Sequence, residues 1–174
     1  LEGFRWITSM GVDGALFVLD PTDGSVIWRQ ASDHMGFVAL PMLCDPDGDG
    51  VLNVIATSLG GGVFNLNAVT GALVWKHAFP RADQLSFQSY ATPAPGHFND
   101  DDTLDFVTSF SLGSYPRFSQ ALVVWIDGTT GEPLNVRQVG RFMMSSPVVL
   151  DLNGDGKHEV LAAINAPREP VAEA

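Results

Sequence analysis

Short apolar runs alternate with clusters of Asp, Asn, Gly and Pro along the chain. Phe37 to Leu43, Leu52 to Thr57, Gly62 to Leu66, Leu104 to Ser109, Ala121 to Ile126 and Met143 to Leu150 are such runs. Runs this short, bounded by residues that bond their own backbone or supply positive φ, predict strands rather than long helices. With 18 Gly and 11 Pro in 174 residues, the chain reads as all-β.

An internal repeat organises these runs. Three acidic segments align: Cys44-Asp45-Pro46-Asp47-Gly48-Asp49-Gly50-Val51-Leu52-Asn53-Val54-Ile55, His97-Phe98-Asn99-Asp100-Asp101-Asp102-Thr103-Leu104-Asp105-Phe106-Val107, and Asp151-Leu152-Asn153-Gly154-Asp155-Gly156-Lys157-His158-Glu159-Val160-Leu161. Their starts at 45, 97 and 151 are separated by 97 − 45 = 52 and 151 − 97 = 54 residues. A second motif recurs out of phase with the first. Asp20 to Gly24 leads to Val26-Ile27-Trp28, Asn67 to Gly71 to Leu73-Val74-Trp75, and Asp127 to Gly131 to Leu134-Asn135-Val136. Asp or Asn opens such a turn by bonding its own backbone, and Gly supplies the positive φ that a tight hairpin needs. Gly60-Gly61-Gly62 lies between two strand runs with no helix behind it, so it too reads as a hairpin turn and not as a phosphate loop.

Tyr90 to Pro95 and Glu159 to Ala163 complete the strand set, giving four short strands per unit. Four strands in roughly 50 residues, repeated in tandem, is the signature of a propeller blade. The expectation is an incomplete β-propeller ring of about three four-stranded antiparallel blades. It divides into a partial blade at 1–30, blades at 37–77 and 88–138, a half blade at 143–163, and a tail or linker at 166–174. The stretch Trp6 to Gly11 echoes Ile55 to Gly60, which sets the start of the chain at the second strand of a blade. Closed propellers hold about four to eight blades, so the remaining blades are expected from sequence not present here or from a neighbouring chain. Trp28 and Trp75 stand at one repeat phase, as residues that pack between neighbouring blades should.

The acidic segments carry the candidate chemistry. Asp-x-Asp-x-Asp-Gly puts oxygen ligands at alternate positions of a tight loop, where they converge on a hard cation while Gly permits the sharp turn. The first loop offers Asp45, Asp47, Asp49, the Val51 carbonyl and Asn53; the third offers Asp151, Asn153, Asp155, the Lys157 carbonyl and Glu159. In the middle loop Asn99, Asp101, the Thr103 carbonyl and Asp105 remain, but His97 holds the first position and Asp102 replaces the glycine at the sixth, so weaker binding is expected there. The cofactor expected is Ca²⁺. These loops are not EF-hands, because the twelfth position is Ala56 or Ala162 and the flanks read as strands. Modest affinity follows, which favours an extracellular, cell-surface or periplasmic location where calcium is abundant.

Charge narrows the partners. Twenty acidic against nine basic residues give a net charge of -11, which repels phosphate backbones and anionic lipid and argues against nucleic acid. No run approaches the roughly 18 apolar residues of a spanning helix, so no membrane insertion is expected in this segment. Cys44 is the single cysteine and reads as a small core residue, with no intrachain disulfide possible. His34, His77, His97 and His158 fall at no shared repeat phase and read as surface or loop residues.

Two family likenesses follow. Asp45 to Asn53 and Asp151 to Glu159, each behind an apolar strand such as Ser146 to Leu150, resemble the FG-GAP or VCBS repeats of integrin-alpha-type propellers. The turns that lead to Trp28 and Trp75 resemble the tryptophan motif of PQQ-like, or quinoprotein-type, repeats, from which Asn135 in the third turn departs. The first resemblance implies calcium-stabilised blades for protein or glycan binding, adhesion or assembly, without catalysis. The second implies a scaffold or a quinone-dependent dehydrogenase, but no adjacent cysteine pair of the kind that flanks the quinone is present. A non-enzymatic calcium-binding module is therefore the reading. Part of a propeller enzyme, such as a polysaccharide lyase or that dehydrogenase, and a subunit of a surface filament stand as alternatives.

Overall fold

The computed structural model describes residues 6–10, 14–32, 36–79 and 87–164; His34 and the expected tail at 166–174 lie outside the described residues. Among the described residues there are fourteen strands and no helix. The first sheet runs β1 (Trp6–Met10), β2 (Ala15–Leu19), β3 (Val26–Ala31), and the second runs β4 (Met42–Cys44), β5 (Asn53–Thr57), β6 (Gly62–Asn67), β7 (Leu73–Ala78). In the third, β8 (Phe87–Gln88) and β9 (Ala94–Gly96) pair with one edge of β10 (Asp105–Ser114), and β11 (Arg117–Ile126) and β12 (Pro133–Gly140) follow on the other. A fourth sheet holds β13 (Val148–Leu150) and β14 (Glu159–Leu161). Every pairing is antiparallel between chain neighbours, apart from the split edge of β10, which is the meander of a propeller blade.

The apolar pattern is explained by how the sheets stack. β5 and β6 are buried nearly throughout, because both faces are covered. Val54, Ala56, Phe64 and Leu66 pack on Leu16, Val18 and Trp28 of the first sheet. Ile55, Val63 and Trp75 turn the other way, onto Phe106, Phe110, Leu122, Val124 and Ile126 of the third. Val107, Ala121 and Val123 in turn face Val149, Val160 and Ala162 of the fourth. Each core thus lies between two sheets.

The tryptophans lock these junctions. Trp28 Nε1 donates to the Ala68 carbonyl at 3.0 Å and Trp75 Nε1 to the Gly128 carbonyl at 2.8 Å, each a carbonyl in the hairpin turn of the following sheet. The turns present a flat surface because Gly71 and Gly131, at φ 74° and 77°, have no side chain. Asp20, Asn67 and Asp127 open the three turns identically, their carbonyls accepting from the backbone N–H of Gly24, Gly71 and Gly131 at 2.8 to 2.9 Å.

The first strand of each blade is shorter than the apolar runs predict. Phe37 to Leu43 gives β4 plus an isolated bridge from Phe37 to Ser58, Tyr90 to Pro95 gives only β9, and Met143 to Leu150 gives only β13. Pro41, Pro93 and Pro147 each stand four residues before an acidic loop, and each three-residue strand begins directly after one. Proline has no N–H to give the ladder, so pairing starts beyond it.

Candidate metal centre

The three acidic loops share a backbone frame held by their own side chains. Gly50 N–H donates to Asp45 Oδ2 and Gly156 N–H to Asp151 Oδ2, both at 2.9 Å. Two positions further on, Asp47, Asn99 and Asn153 accept from the backbone N–H of Asp49, Asp101 and Asp155. Asp49, Asp101 and Asp155 accept in the same way from Val51, Thr103 and Lys157 at 2.7 to 2.8 Å. Gly48 and Gly50, and Gly154 and Gly156, supply positive φ between 71° and 86°. The spacing that suggested ligands therefore builds the loop as well.

In the first loop one oxygen from each of Asp45, Asp47 and Asp49 lies within 4.8 Å of the others. Oxygens at that spacing fit around one ion at the roughly 2.3 to 2.6 Å that calcium prefers. Two unit charges 4.8 Å apart repel by about 3.5 kcal/mol at an effective dielectric near 20, so the arrangement favours a cation. Asp45 Oδ1 is buried and has no hydrogen-bond partner, which is the state of an oxygen suited to a metal. Asn53 gives its amide N–H to Asn65 Oδ1 at 2.8 Å. Beside the loop, burial and the Asp45 charge push the Cys44 thiol up to about 12.

The middle loop gathers a different set. Asp101 and Asp105 are joined by Asp127, from the β11–β12 turn, again with one oxygen each within 4.8 Å. Sequence reading assigned Asp127 only to its turn, where Oδ1 accepts from the backbone of Thr129 and Thr130. The hairpin register places it there: Phe106 pairs with Ile126, which leaves Asp105 and Asp127 side by side one step on. Asn99 sets its amide nitrogen among these carboxylates, 2.8 Å from Asp101, 3.4 Å from Asp105 and 3.5 Å from Asp127. Asp105 is fully buried, and that burial raises its carboxyl above the usual range despite N–H donors from Gly128 and Phe98.

The third loop does not bring Asp151, Asp155 and Glu159 to the same separation. Their oxygens are occupied by the loop itself. Asp151 accepts from Gly154, Asp155 and Gly156, and the Gly156 N–H foremost holds its carboxyl below the usual range. Glu159 accepts from Leu152 N–H at 2.8 Å and Asn153 Nδ2 at 3.1 Å. Asp105 makes the equivalent bond to Phe98 N–H at 3.1 Å, whereas the first loop has Pro46 there, with no N–H, opposite the uncharged Asn53. A carboxylate at the ninth position thus coincides with a donor at the second.

The middle and third loops meet. His97 N–H donates to His158 Nδ1 at 3.1 Å, His158 N–H donates to the His97 carbonyl at 3.2 Å, and Lys157 Nζ lies 2.8 Å from Asp100 Oδ1. The two histidines occupy different repeat phases yet bridge adjacent blades, a contact that repeat alignment does not reveal. Between these loops lies an open polar cleft of about 510 Å³, lined by Asp100, Asp101, Asp102, Asp155 and Lys157 among others. The first and middle loops are joined by Leu104 N–H donating to the Pro46 carbonyl at 2.9 Å. All three loops therefore share one end of the array.

No protein-family model and no curated protein sequence matches the chain. Solved structures do. BamB from Moraxella catarrhalis superposes with a TM-score of 0.54 and 22% identity, covering 83% of this chain and 38% of that one. A europium-containing methanol dehydrogenase superposes with a TM-score of 0.53 and 17% identity, covering 80% of this chain and 24% of that one. These matches support the quinoprotein-type propeller likeness and lend nothing to the integrin-alpha-type likeness of the acidic loops. The chain spans well under half the length of either protein, and what they show of it is the fold, an open stretch of β-propeller.

Proposed function

We propose that this segment is a calcium-stabilised part of an extracellular, cell-surface or periplasmic propeller that serves protein or glycan binding, adhesion or assembly rather than catalysis. The observation that carries the reading is the first loop, where three carboxylates converge and the buried Asp45 Oδ1 has no donor. Asp45, Asp47 and Asp49 hold the ion, with the Val51 carbonyl and Asn53 completing the set. The third loop, through Asp151, Asn153, Asp155, the Lys157 carbonyl and Glu159, is a second site in which an ion exchanges places with bonds to the loop backbone. In the middle loop the Asn99 amide nitrogen occupies the position of a cation. Binding there requires that amide to turn its oxygen inward, beside Asp101, the Thr103 carbonyl, Asp105 and Asp127.

The ions' work in this reading is mechanical. They neutralise the loops at one end of the blades, so that loops joined only by bonds such as Leu104 to Pro46 keep a fixed spacing. A site that binds only the folded chain adds about 2.7 kcal/mol at a hundredfold excess over its dissociation constant. For a chain of this size that corresponds to roughly 5 to 10 °C in Tm. Melting curves with calcium, with magnesium and with chelator test the proposal. Calcium should raise Tm by that amount, magnesium by much less, and Asp47→Ala should remove part of the shift. Curves that superimpose with and without chelator would mean that the loops are solvated acidic turns that hold no ion.

A further inference from the structure

The β10–β11 hairpin is longer than its equivalent in the second sheet. β10 and β11 each have ten residues, whereas β5 and β6 have five and six. The added rungs, Leu112↔Gln120, Gly113↔Phe118 and Ser114↔Arg117, carry the hairpin on at the end of the sheet opposite the acidic loops. Its tip is built on rings. Phe118 stacks on Phe142, from the connection between the third and fourth sheets, with ring centres 4.5 Å apart and planes 6° from parallel. Tyr90 meets both rings edge-on at 6.3 and 6.2 Å, and its hydroxyl donates to Gln88 Oε1 at 2.8 Å. Met143 N–H, next to Phe142, donates to Ser111 Oγ at 3.2 Å. The rings are thus held in place, yet Tyr90, Phe118 and Phe142 stay partly exposed and Tyr115 at the turn is 72% exposed.

Charge at this end is the reverse of the chain's. Each stacked phenylalanine follows an arginine, as Arg117-Phe118 and Arg141-Phe142. Both arginines are exposed, and neither forms an ion pair among the described residues. The stretches 87–98, 106–126 and 133–150 hold Arg117, Arg137 and Arg141 but no Asp or Glu, in a chain with 20 acidic and nine basic residues. From Asp105 to Ser114 there are 114 − 105 = 9 steps along β10, which at about 3.3 Å each set the tip about 30 Å from the acidic loops. That is about three Debye lengths at physiological salt, so the loops' repulsion of an anion is largely screened here.

We propose that the tip of the β10–β11 hairpin binds a short acidic oligosaccharide of the uronic-acid type. Its carboxylates sit on Arg117 and Arg141, whose guanidinium forks match them, and its sugar rings lie against Phe118, Phe142 and Tyr115. The hairpin belongs to the third sheet, both faces of which are already covered, so further blades joining at the first or fourth sheet do not take this place. A sugar is favoured over an extended peptide because the free strand edge is short. β8 pairs as far as Leu112 and β12 as far as Ala121, which leaves at most the four residues 117–120 on one edge, and the register breaks at Gly113. The inference rests on the binding role proposed above, names its ligand, and does not depend on calcium.

Calorimetric titration of the 174-residue chain with tetragalacturonate is the test, with chelator present so that calcium cannot bridge the sugar to the acidic loops. Tetragalacturonate is expected to bind at least about tenfold more tightly than the neutral maltotetraose. Arg117→Gln and Arg141→Gln should each weaken binding about tenfold, the loss of one charge-assisted partner. Arg29→Gln removes the same charge from an exposed position in the first sheet and should leave binding unchanged. Circular dichroism identifies any variant that fails to fold, and the comparison of acidic with neutral sugar on the unaltered chain then decides alone. No binding, equal affinity for the neutral sugar, or an equal loss in Arg29→Gln overturns the proposal. So does equal binding of tetraglutamate, which would assign the patch to an acidic protein segment. The calcium reading is judged by melting curves, so either can fail without the other.

Discussion

Replacing the turn glycines one at a time isolates the energy of the tryptophan junctions. Gly24, Gly71 and Gly131 occupy the same place in three equivalent turns, with φ of 73°, 74° and 77°. Alanine in that left-handed conformation costs roughly 1 to 2 kcal/mol wherever it is placed. The surroundings differ. A Cβ at Gly24 meets nothing within 4 Å, whereas at Gly71 it would stand 2.7 Å from Trp28 Cδ2 and at Gly131 2.5 Å from Trp75 Cε3. Two flat, hydrogen-bonded indoles would have to move, which adds about 1 to 3 kcal/mol of overpacking. Gly24→Ala is therefore expected to destabilise by about 1 to 2 kcal/mol, and Gly71→Ala and Gly131→Ala by about 2 to 5 kcal/mol. Urea unfolding followed by tryptophan fluorescence measures all three, and unchanged m-values confirm that the same unit unfolds. Three equal losses would show that only backbone strain is at work and that the indole–turn contact contributes no packing energy.

Two further results follow from the acidic loops. Cys44, raised to about 12 by burial and by Asp45, should resist thiol reagents at pH 8 in the folded chain and react on unfolding; rapid modification of the native protein would contradict its burial. Asp105 is raised by burial, so without metal its stabilising contribution is complete below the unfolded value of 3.8 and is lost as pH rises through its folded value. Asp105→Asn should flatten that part of the stability–pH curve measured with chelator, and an unaltered slope would rule the group out as its source.

The repeat was legible because its spacing is set by strands and turns that hardly vary. Asp-x-Asp-x-Asp and the Thr-Gly turns specify their local geometry through bonds within five residues, which a sequence displays directly. Contacts between the two motifs were not legible. Asp127 reaches Asp105 through the β10–β11 register, and that register shifts at Leu112 and Gly113, so counting along the sequence does not recover it. The His97–His158 contact depends on the angle between sheets, which no repeat position encodes. The first strands were overestimated because the apolar run continues through Pro41, Pro93 and Pro147 although the hydrogen-bond ladder does not.

Because every core is shared by two sheets, the natural cutting points of this molecule are not where the sheets separate. The first core draws on residues from Leu16 to Ala68, the second on Met42 to Ile126 and the third on Ala94 to Ala162, so successive cores overlap along the chain. A truncation after β7 leaves a whole sheet yet strips the cover from Ile55, Val63 and Trp75. Gene duplication or engineering that adds a repeat conserves every junction only by copying from the middle of one sheet to the middle of the next. The heritable module of this array is a seam, and the sheet is merely what two seams hold between them.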